Sequence, residues 1–156
     1  MNNKLLVSAC LLGQPVRYDG KSKAINELTW LQTLQKDGRL VVICPEVSGG
    51  LSTPRPPAEI QNDKVITNTG IDVTEQFNLG AQNALKLCQQ HNIKYALLKA
   101  NSPSCGNQQI YDGSYSGKLI NGLGLTAKLL TQNGIHVFSE LEIRHLKQAL
   151  EQNGAP

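Results

Sequence analysis

Short unbroken runs of apolar residues alternate along the chain with longer stretches in which apolar residues return every three or four positions. Residues 5–9, 40–43, 95–100 and 135–138 are runs of the first kind, bounded by Gly, Pro or polar residues, and they predict strands buried on both faces. Stretches of the second kind predict helices. Ile25, Leu28, Leu31 and Leu34 mark the face of one, with Asn26 as its N-cap and Gly38 as its stop. Asp72, followed by Glu75 at the spacing of a capping box, opens the clearest helix, whose stripe is Val73, Phe77, Gly80, Ala81, Ala84, Leu85 and Cys88, with Asn92 as its end. Residues 126–133 predict a third helix, stopped at Gly134, and residues 139–152 a closing one, introduced by a second capping box at Ser139 and Glu142.

Two hairpins interrupt the alternation. Asn62-Asp63 joins residues 58–61 to 64–67, and Asp112-Gly113, a strong turn signal, joins 108–111 to 114–119. Ahead of the first hairpin, Pro54, Pro56 and Pro57 stiffen a long connection, and long connections in compact domains tend to carry function. Strands that alternate with amphipathic helices imply a parallel sheet covered on both faces. The expected architecture is a single-domain, Rossmann-like α/β sandwich of three layers over residues 1–156, with a mainly parallel four-stranded sheet and the hairpins as small insertions. Ligands in such sheets bind outside the carboxyl ends of the strands, where the strand order reverses.

Composition narrows the function. A chain of 156 residues, 40% of them hydrophobic, supplies the material for one core. Its formal net charge of +3 comes from scattered lysines and arginines, and an aromatic content of 4% leaves no basic, aromatic track for a nucleic-acid strand. No long apolar segment or cleavage signal is present, so a cytoplasmic location is expected, neither secreted nor membrane-inserted. There the 4 cysteines read as thiols, not as a disulfide framework.

Cys88 falls on a helix stripe, where it serves as a small core residue. Cys10, Cys44 and Cys105 instead each follow a predicted parallel strand, which brings three distant thiols to one end of the sheet. Three thiolates are an incomplete ligand set, and either a catalytic zinc with an open position or an iron–sulfur cluster short of its fourth cysteine satisfies it. The absence of a Cys-x-x-Cys pair disfavours a zinc knuckle or a thioredoxin-like motif, and the 3 histidines, His91, His136 and His145, are too few for a His-rich metal site. Glu46, two residues beyond Cys44, is a candidate acid–base group, because burial at a strand end raises a carboxyl toward neutrality. Ser102 and Ser104 either donate to a polar ligand or order the turn around Pro103. Arg17, Asp19 and Arg55 lie in loops expected to reach the same rim. No Walker or dinucleotide-binding pattern is present.

These residues form longer motifs. Ser8-Ala9-Cys10-Leu11-Leu12-Gly13 with Val16-Arg17-Tyr18-Asp19-Gly20, then Cys44-Pro45-Glu46-Val47-Ser48-Gly49-Gly50-Leu51 with Thr53-Pro54-Arg55-Pro56-Pro57-Ala58-Glu59, then Leu98-Lys99 with Ser102-Pro103-Ser104-Cys105-Gly106, resemble the thiouracil desulfidase family. The likeness continues through Tyr111-Asp112-Gly113 and Gly124-Leu125-Thr126-Ala127 and covers nearly the whole chain. It implies a 4Fe-4S cluster held by Cys10, Cys44 and Cys105, with the fourth iron left open to the substrate sulfur. The implied reaction is hydrolytic and non-redox, a thiocarbonyl becoming a carbonyl with release of hydrogen sulfide. It further implies Glu46 as the acid–base residue and Ser102 as a group that positions or polarises substrate. Ser104, Arg17, Asp19 and Arg55 are then the candidates for substrate contact. The expected substrate is a small thiolated base or nucleoside of the 2- or 4-thiouracil type, with thiolated nucleic acid disfavoured. A non-catalytic iron–sulfur or persulfide-binding module is the competing expectation.

Overall fold

The computed structural model describes residues 3–13, 18–19 and 28–154. In chain order the strands are β1 (Leu5–Ser8), β2 (Leu40–Ile43), β3 (Ala58–Gln61), β4 (Lys64–Thr67), β5 (Tyr95–Leu98), β6 (Gln109–Tyr111), β7 (Leu119–Asn121) and β8 (His136–Ser139). The helices are α1 (Leu28–Lys36), α2 (Pro45–Ser48), α3 (Thr74–Gln90), α4 (Leu125–Gln132) and α5 (Ile143–Gly154). Strands β2, β1, β5 and β8 form, in that order, one parallel sheet, with Leu5 opposite both Leu40 and Tyr95. The pairs β3–β4 and β6–β7 are separate antiparallel hairpins. This is the α/β arrangement the apolar pattern predicts.

The strand period of two sorts the core into layers. Leu5, Val7, Tyr95 and Leu97 pack with Leu31 and Leu34 of α1 and with Leu146 and Leu150 of α5. Leu6, Ala96 and Leu98 face the other way, onto Ala84 and Cys88 of α3 and Ala127 and Leu130 of α4. Every residue of β1 and β5 is buried, which is why these strands read as continuous apolar runs. Cys88 lies within the second layer, and burial pushes its thiol up to about 11. Asn26 and Ile25 lie outside the described residues.

Several local expectations need correction. The second hairpin pairs Gln109–Tyr111 with Leu119–Asn121, so Asp112-Gly113 begins a long loop and is not a two-residue turn. That loop is drawn onto the first hairpin, where Glu59 Oε1 accepts from the Gly113 and Tyr115 amides at 3.0 and 3.2 Å and Gln61 Nε2 donates to the Gly113 carbonyl at 2.7 Å. Asp72 caps α3 through Thr74, whose amide and hydroxyl donate to Oδ1 at 2.9 and 2.6 Å, and no reciprocal bond from Glu75 completes a box. Strand β5 stops at Leu98, two residues early, because the Ala100 amide is taken by Glu140 Oε1 at 2.7 Å and Asn101 turns left-handed at φ 69. The first strand likewise ends at Ser8, and Ala9–Leu12 form a 3-10 turn. The capping box at Ser139 and Glu142 does form, and it opens a 3-10 turn, Glu140–Glu142, that leads into α5.

The topology sets where a ligand can enter. From β1 the chain passes to β2 on one side, and it later enters β5 on the other side of β1. Flanking connections therefore leave β1 in opposite directions and open a crevice at the carboxyl ends of β1 and β5. Among the described residues no helix is long and apolar enough to cross a membrane.

Candidate functional site

A cavity of about 490 Å³ occupies that crevice. Cys10, Cys44 and Cys105 line it together with Glu46, Lys99 and Ser102, and Tyr18, Arg55, Glu59, Tyr111 and Tyr115 complete its wall. Three loops and the two hairpins thus meet around three sulfurs.

Each cysteine is held by its backbone. Cys10 sits on the 3-10 turn after β1, closed by Gly13 at φ 91, whose amide donates to the Cys10 carbonyl at 3.2 Å. Cys44 caps α2, with Pro45 at the first helical position, where a missing donor costs nothing. The α2 turn is pressed onto α3 by two glycines. A Cβ on Gly80 would stand 1.9 Å from the Pro45 carbonyl oxygen, and one on Gly49 would stand 1.9 Å from that of Gln76. Cys105 lies in a loop tied at both ends. Its amide donates to Ser102 Oγ at 2.6 Å, and the Gly106 amide donates to the Ser102 carbonyl at 2.9 Å. The first amides of α4, which have no acceptor within their own helix, find them here: Leu125 donates to Pro103 O at 2.9 Å and Thr126 to Ser104 O at 2.8 Å.

Burial dominates the electrostatics. It pushes the Cys105 thiol up to about 12; hydroxyls of Ser8, donating at 3.6 Å, and of Ser104 ease it down, while Glu46 and Cys10 add to the rise. Burial also raises the Cys44 thiol against the pull of the Val47 amide. A bound metal reverses this balance, since a coordinating thiol is deprotonated outright. Glu46 is raised above the ordinary carboxylate range, because burial outweighs the charge and hydrogen bond of Arg55. Arg55 Nε donates to Glu46 Oε1 at 3.1 Å, and its Nη1 donates to Ser52 O and Thr53 Oγ1 at 3.0 and 3.1 Å.

Cys10, Cys44 and Cys105 come from three different loops and line one cavity. A cluster takes one thiolate per iron, so three thiols around a common space fit it.

The structure therefore brings Cys10, Cys44, Cys105, Glu46, Ser102 and Arg55 to one cavity. Ser102 uses an oxygen lone pair on the Cys105 amide, which leaves its own hydrogen available to the cavity. Ser104 does not line the cavity. It is 1% exposed and its hydroxyl pairs with Thr126 Oγ1 at 2.9 Å, which ties the Cys105 loop to α4. Asp19 is half-buried and also stands off the lining, where its neighbour Tyr18 is found, and Arg17 lies outside the described residues. Lys99, Glu59 and Tyr111, which stand in the motifs without a role of their own, and Tyr115 are lining residues that the sequence does not single out as site candidates. Lys99 had a signal, a charge directly after a buried parallel strand. The others come from hairpins whose docking no local pattern announces.

Fold and cavity together define a small α/β protein in which three cysteines line a cavity at the switch point of a parallel sheet. The chain belongs to the 2-thiouracil desulfurase family, whose model matches residues 5–142. It is 41% identical over 152 residues to the uncharacterized protein YbbK of Bacillus subtilis (strain 168), covering 91% of this chain and 99% of that one. It is also similar to a solved structure of TudS, described as a [4Fe-4S]-dependent thiouracil desulfidase, at 52% identity and a TM-score of 0.94, covering 97% of this chain and 99% of that one.

Proposed function

We propose that this protein is an iron–sulfur-dependent desulfidase that hydrolyses a thiouracil-type base to the corresponding oxo base and hydrogen sulfide. The observation that carries this reading is the meeting of Cys10, Cys44 and Cys105 with Glu46 and Ser102 around one cavity. Cys10, Cys44 and Cys105 would hold a 4Fe-4S cluster like the one in the description of TudS. When bound, such a cluster supplies a Lewis-acidic iron that takes sulfur in preference to harder donors.

The chain's own residues supply the rest. Glu46, made more basic by burial, takes a proton from water as the oxygen adds to the thiocarbonyl carbon. Ser102 donates its free hydrogen toward the reacting polar atoms. Oxygen replaces sulfur on the ring, and both protons of the water leave with the sulfur as hydrogen sulfide, so no external electrons are needed. Arg55 holds Glu46 in place, and Tyr18, Tyr111 and Tyr115 give a planar base aromatic surface at the cavity wall. The volume of about 490 Å³ lies in the range of small-ligand pockets and favours a free base or nucleoside.

The test is turnover by anaerobically reconstituted protein on 2-thiouracil, 4-thiouracil, 4-thiouridine and thiolated tRNA. Uracil or uridine and sulfide are expected in equal amounts from the small substrates, at rates above that on the tRNA. A protein that binds its cluster and releases no sulfide from any of them is instead a binding module.

A further inference from the structure

Two cationic side chains line the cavity among the described residues, Arg55 and Lys99. Arg55 spends its fork on Glu46 and on the 52–53 backbone and side chain. Lys99 is placed differently. It directly follows β5, its amide donates to Ser8 Oγ at 3.3 Å, its side chain is 22% exposed, and the residue lines the cavity. Its ammonium donates to Glu140 Oε2 at 2.9 Å and to the Ala100 carbonyl at 3.1 Å. An ammonium carries three N–H groups, so these two bonds leave one for a further acceptor.

Glu140 is what fixes it. This residue follows β8, is not part of the cavity lining, and binds both the Lys99 ammonium through Oε2 and the Ala100 amide through Oε1. One carboxylate thereby sets the end of β5 and aims the lysine. Glu46 with Arg55 and Lys99 with Glu140 are thus two separate ion pairs, and Glu46, Arg55 and Lys99 line the same space as the three cysteines.

We propose that Lys99 is a second catalytic residue, a fixed cation that donates to the remaining carbonyl oxygen of the thiolated base, and that Glu140 is its positioning residue. The inference rests on the desulfidase reading. When water adds to the thiocarbonyl carbon, the displaced electron pair goes to sulfur, and the ring nitrogen, no longer conjugated with the thiocarbonyl, gives more density to the remaining carbonyl oxygen. A preorganised donor at the ring oxygen stabilises that charge and transfers no proton. In both 2-thiouracil and 4-thiouracil the thiocarbonyl and the carbonyl flank the same ring N–H, so one lysine serves both isomers.

The experiment pairs an enzyme deletion with a substrate deletion. Wild type, Lys99→Met, Lys99→Arg and the charge-neutral double variant Lys99→Met/Glu140→Gln are reconstituted and their iron and sulfide contents matched. Each is assayed on 2-thiouracil, 4-thiouracil and pyrimidine-2-thione, which lacks the carbonyl. Lys99→Met is expected to lose about 10²-fold in kcat/KM on both thiouracils, mainly in kcat, because the charge it meets develops in the transition state. On pyrimidine-2-thione the loss is expected to be only a few-fold, Lys99→Arg is expected to recover part of the rate on the thiouracils, and the double variant is expected to resemble Lys99→Met. Equal losses on all three substrates would overturn the carbonyl contact and leave the lysine an ordinary ion-pair staple, and no loss would overturn it altogether. A cluster-loaded wild type that turns over none of the three defeats the desulfidase reading itself, and this proposal with it.

Discussion

A Glu46→Gln variant is expected to take up its cluster as the wild type does and to lose turnover by roughly 10²–10⁴-fold, the usual contribution of a positioned acid–base group. The substitution keeps the shape and removes the proton acceptor. The fold has reason to tolerate it, since the amide oxygen of glutamine still accepts from Arg55 Nε and Arg55 retains Ser52 O and Thr53 Oγ1. Cluster uptake has reason to persist as well, because the Glu46 charge disfavours the thiolates of Cys44 and Cys105 and its neutralisation relieves them. Sulfide release per cluster, with iron measured on the same sample, checks the expectation. Turnover within a few-fold of wild type would remove Glu46 from the chemistry.

Gly80→Ala is expected to damage both stability and cluster loading, although Gly80 itself holds nothing in the site. In an exposed helix this exchange stabilises by roughly 0.5–1 kcal/mol, because glycine loses more conformational freedom on folding. Here the sign reverses. The new Cβ would lie 1.9 Å from the Pro45 oxygen and 2.7 Å from its carbonyl carbon, and backbone cannot rotate away as a side chain would. Overpacking of this kind costs roughly 1–3 kcal/mol. Pro45 stands between Cys44 and Glu46, so relief of the clash moves a sulfur and a carboxylate together. Denaturant midpoints should fall and iron per chain should fall with them. A stabilised, fully loaded variant would show that the α2–α3 contact does not position the site.

What the sequence made legible follows from how local each cause is. Strands β1 and β5 were readable because burial on both faces leaves them uniformly apolar, and Cys88 declared itself by its place in the α3 stripe. Convergence of Cys10, Cys44 and Cys105 followed from one topological rule about parallel sheets. The failures have distant causes. Asp112-Gly113 reads as a tight turn until Glu59, 54 residues earlier, takes the Gly113 amide. Ser102 and Ser104 look equivalent around Pro103, and the pairing of Ser104 with Thr126 is what turns one of them inward. Lys99 needs Glu140, 41 residues on in sequence (140 minus 99), to become more than a charge at a strand end.

The central claim is that Cys10, Cys44 and Cys105 together hold one iron–sulfur cluster while Cys88 only packs the core. Its most direct test is the iron and acid-labile sulfide content, with the visible spectrum, of protein prepared without oxygen as wild type and as four single cysteine-to-alanine variants. Wild type and Cys88→Ala should carry the content of a 4Fe-4S cluster, and Cys10→Ala, Cys44→Ala and Cys105→Ala should each lose it. A wild type that contains zinc in place of iron, or full loading in any one of those three variants, would contradict the account.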